Sequence, residues 1–171
     1  MTSTLPCPLR RLRESDLADF QAYRALPELG RYQGWVPMPD AEALAFLRAM
    51  AEAPLFKPGA WVQLGISESP AGPLLGDIGL FLSADGTQAE VGFTLAPAAQ
   101  GRGLATRAVR GALEQLWALT AARHVLGCTD ARNTPSSRLL QRLGFQRVAE
   151  RSAQFRGEAC VEWDYRLERP L

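Results

Sequence analysis

The chain has 171 residues, 47% of them hydrophobic and 22% charged. That composition fits one compact domain, burying roughly two-thirds of the surface its unfolded form exposes, and excludes a disordered or fibrous chain. Lys+Arg 19 against Asp+Glu 18 leaves a formal net charge of +1, so no global field draws the molecule to nucleic acid or an anionic bilayer, and neither is an expected partner. Cys7, Cys128 and Cys160 form no C-x-x-C pair and are odd in number, which argues against a disulfide framework or a zinc site and fits a reducing cytoplasm. No apolar run reaches the ~18 residues of a transmembrane helix, and the N-terminus lacks the apolar stretch of a signal peptide.

In chain order, Cys7 to Leu12 reads as a short strand, and Glu14, Ser15 or Asp16 caps a helix running to about Arg24, with Leu17, Phe20, Tyr23 and Arg24 at helical spacing. After the turn-rich RYQGWVPMPD, Asp40 caps a second helix with Ala43, Leu44, Phe46, Leu47 and Met50 on its apolar stripe, ended by Pro54 and Pro58. Ala60 to Ser67 and Leu74 to Leu82 read as antiparallel strands, with Trp61 expected in the core. Glu90 to Leu95 alternates: Val91, Phe93 and Leu95 face one side, Glu90, Gly92 and Thr94 the other. A helix follows from about Arg102 to Leu119, buried through Leu104, Ala108, Val109, Ala112, Leu113, Leu116 and Trp117. His124 to Thr129 is a further strand and Asn133 to Leu143 a short helix stopped by Gly144. Phe145 to Ala149 and Ala159 to Leu167 close the chain as strands, the second with Trp163 placed in the core. No linker or repeat divides residues 1–171, so the pattern predicts one α+β domain around a single twisted, mainly antiparallel sheet.

The segment with the most chemistry is QGRGLAT, Gln100 to Thr106. It places two glycines at the mouth of a helix, where free N–H groups and the positive end of the helix dipole favour a phosphate. A P-loop needs G-x-x-x-x-G-K-[ST], and no lysine stands near. A dinucleotide fingerprint needs Gly or Ala where Thr106 stands. The pattern [Q/R]-x-x-G-x-[G/A] does match, at Gln100, Gly103 and Ala105, after a strand ending Leu95-Ala96-Pro97.

With EVGFTLAP before the turn and NTPSSRLLQRLGF after it, this resembles the acetyl-CoA signature of the GNAT superfamily of N-acetyltransferases. RYQGW, the run from Asn133 to Phe145 and the closing strand GEACVEWDYRL look like the ribosomal-protein N-terminal acetyltransferase group, and QGRGLAT is also similar to the turn in spermidine acetyltransferases. The resemblance implies a mixed sheet of about seven strands flanked by about four helices and splayed at strands 4 and 5. It implies acetyl-CoA as donor, no metal, and direct transfer to a primary amine, such as a peptide N-terminus, a polyamine or an aminoglycoside. The protein would be cytoplasmic, a monomer or homodimer. A module that binds acetyl-CoA without catalysis is the contrasting reading.

By the same resemblance, the backbone of Phe93, Thr94 and Leu95 pairs with the pantetheine amides, and the N–H groups of Gln100, Gly101, Arg102, Gly103, Leu104, Ala105 and Thr106 hold the pyrophosphate. Arg102 and Arg107 either add charge there or lie on a solvated helix face. Asn133 matches the residue bonded to the pantetheine arm, although an Asn opening a helix is also an N-cap. Ser136 stands near the thiol, and Glu90 is the candidate general base, with a solvent-facing strand carboxylate as the plainer reading. Leu140 occupies the position where many relatives carry a tyrosine acid. Arg31, Tyr32 and Trp35 are expected in the acceptor wall, and His124 in a structural role.

Overall fold

The protein is described here by a computed structural model covering residues 8–170. Cys7 lies outside the described residues. The chain runs β1 (Leu9–Arg11), a 3₁₀ turn (Glu14–Asp16), α1 (Leu17–Arg24), α2 (Pro27–Gly30), α3 (Asp40–Glu52), β2 (Ala60–Ile66), β3 (Gly76–Leu82), β4 (Gln88–Leu95), a 3₁₀ turn (Pro97–Ala99), α4 (Leu104–Leu119), β5 (His124–Asp130), α5 (Thr134–Arg142), β6 (Gln146–Phe155) and β7 (Glu158–Glu168). The strands form one sheet in the order β1-β2-β3-β4-β5-β7-β6. Every neighbouring pair is antiparallel except β4 and β5, which run parallel.

Period-two alternation divides the sheet into two faces. Ile78, Leu80, Val91 and Val125 point to the side where α4 buries Leu104, Ala108, Val109, Ala112 and Leu116 in the same apolar cluster. On the opposite face, Asp77 meets α1: Arg24 Nη2 donates to its carboxylate at 3.0 Å, Tyr23 Oη donates to it as well, and Gln63 Nε2 from β2 donates at 2.5 Å. Beside this polar knot, α1 and α3 pack Phe20, Tyr23, Ala43 and Leu47 with Leu12 and Leu74. Arg10 and Asp16 form a second buried pair at 2.7 Å.

The short α2 was not legible in the sequence, because its four residues PELG are too few to show a period. The closing hairpin is also longer than expected, since β6 continues past Ala149 to Phe155. Residues such as Glu150, Arg151 and Ser152 are exposed and polar, and their strand conformation comes from pairing with β7 rather than from a buried stripe. Trp61 is not in the core: it is 47% exposed, its ring tilted against Phe81 at 5.5 Å, on a part of the sheet that α1 and α3 do not reach. Trp163 is only partly buried, and its indole Nε1 donates to Glu150 at 2.8 Å. No helix among the described residues is long and apolar enough to cross a membrane.

Candidate active-site cleft

The parallel pairing of β4 with β5 covers only Gln88–Glu90 against His124–Leu126. Beyond Glu90 the strands part, although β4 continues to Leu95 and β5 to Asp130. A cleft of about 880 Å³ opens beside the gap, lined among others by Phe93, Leu95, Gly101, Gly103, Asn133 and Ser136. The peptide groups facing the gap follow from the ladder on the other edge of β4. Ala96 N–H donates to Leu75 O on the β3 side, so by antiparallel alternation Thr94 also turns its backbone toward β3, and Phe93 and Leu95 turn theirs into the gap. Two side-chain amides occupy these carbonyls: Gln33 Nε2 donates to Phe93 O at 3.3 Å, and Gln100 Nε2 to Leu95 O at 3.0 Å.

The glycine turn follows directly. Gly101 and Gly103 have φ +75° and +69°, the left-handed region that an L side chain occupies only with strain, and no atom lies within 4 Å of a Cβ built on either. Gly103 is the N-cap of α4, so the first free N–H groups of a sixteen-residue helix open on the cleft at its electropositive end. Gln100, Ala105, Thr106 and Arg107 line the cleft too. Leu104 is buried in the core, and Arg102 turns away to pair with Glu68 at 2.5 Å.

On the far wall, Asn133 caps α5, its Oδ1 accepting from Ser136 N–H at 3.4 Å. Asn133, Ser136, Leu139 and Arg142 recur every three residues, each beside the next along a ridge that runs from the N-cap to the last turn of α5, and all four line the cleft. That spacing could have singled out Arg142, which the motif reading passes over. Leu140 is 2% exposed and rests against Gly127, so the hydroxyl of the usual tyrosine is replaced by packing. A smaller cavity of about 50 Å³ sits deeper in the gap, bordered by Tyr32, Gln33, Gly92, Cys128, Ser136 and Leu140.

The loop between α2 and α3 brings its residues to β4 by long-range contacts. Tyr32 and Gln33 line both cavities. Trp35 lines neither of them: its Nε1 donates to Thr94 Oγ1 at 3.4 Å, and its ring lies over the Arg24 guanidinium at 4.6 Å. Arg31 stands over the Tyr32 ring at 5.3 Å, outside both cavities.

Glu90 also lines neither cavity. It sits on the last rung before the strands part, half-buried on the face opposite α4. Burial raises its carboxyl above the ordinary value, the charge of Asp164 raises it further, and Arg151 opposes both. Cys128, on the same face, has its thiol pushed up to about 12, first by burial and then by Glu162 and Asp164. Arg151 holds Asp164 in turn, Nε donating at 2.9 Å, which lowers that carboxyl. His124 stands apart from the cleft, with Nε2 2.8 Å from Gln88 Oε1 and Nδ1 3.3 Å from Arg166 Nη2. Among the described residues, no group of three or more His, Cys, Asp or Glu side chains is placed to hold a metal ion.

A strand gap with a left-handed glycine turn at its mouth is the arrangement that the sequence motif anticipates, and a family comparison agrees. The acetyltransferase (GNAT) domain family matches residues 8–146. The chain belongs to that family and is an acetyltransferase, of the class that draws its acetyl group from acetyl-CoA. Solved structures share its fold at low identity. A GNAT-family acetyltransferase from Bacillus anthracis superposes with a TM-score of 0.81 at 16% identity, covering 94% of this chain and 93% of that one. RimL, a ribosomal L7/L12 alpha-N-protein acetyltransferase in complex with coenzyme A, gives 0.81 at 14% identity over 96% of each chain. The microcin C7 self-immunity acetyltransferase MccE, in complex with acetyl-CoA and AMP, gives 0.79 at 12% identity over 96% of this chain and 94% of that one. No curated protein matches by sequence.

Proposed function

We propose that this acetyltransferase moves the acetyl group of acetyl-CoA directly onto a primary amine, a peptide N-terminus or a small molecule, in a ternary complex in the cytoplasm. The observation that carries the reading is the gap itself. One edge offers the unladdered peptide groups of Phe93 and Leu95, and its mouth is the left-handed Gly101 and Gly103 turn at the start of α4. A pantetheine arm pairs with β4 as an added strand, displacing the Gln33 amide from Phe93 O, while the pyrophosphate rests on the N–H groups from Gly101 to Thr106. Arg107 and Arg142 face the same cleft and supply positive charge; Arg102 is committed to Glu68. RimL and MccE, similar folds bound to coenzyme A and acetyl-CoA, support this donor.

The thioester then lies in the inner cavity near Ser136, Cys128 and Gly92. Gly92 shares its face with Glu90 and Thr94, and no atom lies within 4 Å of a Cβ built there, so an amine reaches the carbonyl across open strand. Glu90, through a water because the carboxylate stands outside the cavity, takes a proton from the acceptor ammonium; the neutral amine then attacks the thioester carbonyl, and as the C–S bond breaks the nitrogen gives its second proton to solvent. Its raised affinity for a proton suits that role. Ser136 hydrogen-bonds the departing sulfur, which takes its proton from solvent. Cys128 has its thiol pushed up to about 12, so it holds its proton more tightly than an ordinary thiol of pKa about 8.5 and is a poorer donor to the sulfur than solvent-exchanged protons.

Calorimetry with acetyl-CoA, followed by thiol release with an N-terminal peptide, spermidine and tobramycin, tests the reading. Micromolar binding with release for one amine class supports it; binding without release, or no binding, defeats it.

A further inference from the structure

The tip of the β6–β7 hairpin is a two-residue turn, Arg156–Gly157, between Phe155 and its register partner Glu158. Both turn residues are left-handed, with φ +52° and +81°. Asn-Gly or Gly-Gly is the ordinary choice for such a turn, and an arginine in its first position is strained. The Arg156 side chain leaves the hairpin altogether. Nη2 donates to Trp35 O at 2.7 Å and to Gln33 O at 3.4 Å, joining segments more than a hundred residues apart in sequence.

The two carbonyls belong to residues whose side chains reach β4 in the gap. Gln33 donates to Phe93 O and borders both cavities, and Trp35 donates to Thr94 Oγ1. Trp35 is also held by Arg24, whose guanidinium stands 4.6 Å from the Trp35 ring and 4.4 Å from the Phe20 ring while it pairs with Asp77. The loop is thus anchored inward by Gln33 and Trp35, of which Trp35 remains once pantetheine takes Phe93 O, and outward by the hairpin tip, with Tyr32 against the Arg132 guanidinium at 5.6 Å.

We propose that Arg156 is a positioning residue for acetyl transfer: it fastens residues 33–35 to the β6–β7 hairpin and so fixes the wall between the cofactor cleft and the face on which the acceptor amine approaches Glu90. The proposal rests on the reading of the cleft as the acetyl-transfer site. It also explains why a strained arginine stands in a turn that glycine would make more easily, since only a long cationic donor spans the distance to two carbonyls.

The test is Arg156→Gly, beside Arg156→Lys. Glycine adopts φ +52° freely, so the variant folds with a thermal midpoint equal to or above that of the parent, whereas a purely structural role would lower it. The acceptor is whichever of an N-terminal peptide, spermidine or tobramycin gives the fastest thiol release with the parent protein. For Arg156→Gly, kcat/KM for that amine falls about 10- to 100-fold, the range expected when a wall of the site shifts. The Kd for acetyl-CoA stays within about twofold. Amide hydrogen exchange speeds up at residues 31–36 and nowhere in α4, and the lysine variant recovers part of the loss. Unchanged acceptor kinetics, or unchanged exchange in that loop, overturns the proposal. Absence of thiol release by the parent protein with all three amines overturns instead the functional reading beneath it, before any variant is compared.

Discussion

Under α4 the sheet is sealed by small and branched side chains alone, and on the opposite face an apolar cluster beneath α1 and α3 is joined by buried charges. On the sealed side, Ala108, Val109, Ala112 and Leu116 are fully buried against Ile78, Leu80 and Val125. On the other side, Arg24 and Asp77 are buried as an ion pair beneath α1, and further along Trp61, Cys128 and Arg151 meet solvent. The sealed face gains from every methylene it removes from water and needs no exact partner. On the charged face the polar groups are ordered only where each finds its counterpart, which makes that part of it brittle and specific. Chemistry that requires a proton acceptor belongs on the second kind of surface.

Removing one charge tests this contrast most severely. Asp77→Ala leaves the Arg24 guanidinium buried without its partner and Tyr23 without its acceptor; unfolding in urea should reveal a loss of about 3–5 kcal/mol. A loss below about 1 kcal/mol, the level of an exposed pair, would mean that apolar packing of α1 and α3 holds this face as well.

Glu90→Gln is the next largest effect, expected in rate rather than stability. A positioned base contributes about 10²- to 10⁴-fold, so kcat/KM for the acceptor should fall into that range. In the parent protein the acidic limb of the rate profile should be shifted upward from the ordinary glutamate value, because burial and Asp164 raise the Glu90 carboxyl, and the limb should vanish in the variant. Stability moves the other way. A carboxyl whose folded pKa is raised is less easily ionised in the fold, a cost absent below the unfolded pKa and fully present above the folded one, so the variant should be no less stable at neutral pH. An unaltered rate profile would remove Glu90 from proton transfer.

Gly103→Val brings the comparison back to the α4 side. A branched residue at φ +69° should cost about 1–2 kcal/mol in thermal unfolding and at least about tenfold in acetyl-CoA affinity by calorimetry. Equal affinity would separate the turn from cofactor binding.

The sequence by itself determined the elements whose signal is local. The alternation of Val91, Phe93 and Leu95, the apolar stripe of α4 and the two glycines of QGRGLAT were legible because strand period, helix period and a phosphate-sized backbone turn are each written within a few residues. From them came the fold class, the family resemblance and the cofactor side of the cleft. The tertiary structure alone decided that β4 and β5 part after Glu90, that Gln33 rather than Trp35 borders both cavities, that Arg102 turns to Glu68, and that β6 continues to Phe155. The strand pattern places Trp61 in the core, but burial depends on which helix covers a face, and Trp61 lies outside the cluster that α1 and α3 bury. The acceptor side proposed here draws on the loop after α2, the rungs of β4 and the hairpin tip at Arg156, segments far apart in the chain that hydrogen bonds bring together. Contacts between such segments are set by strand order and helix placement, which no local pattern encodes.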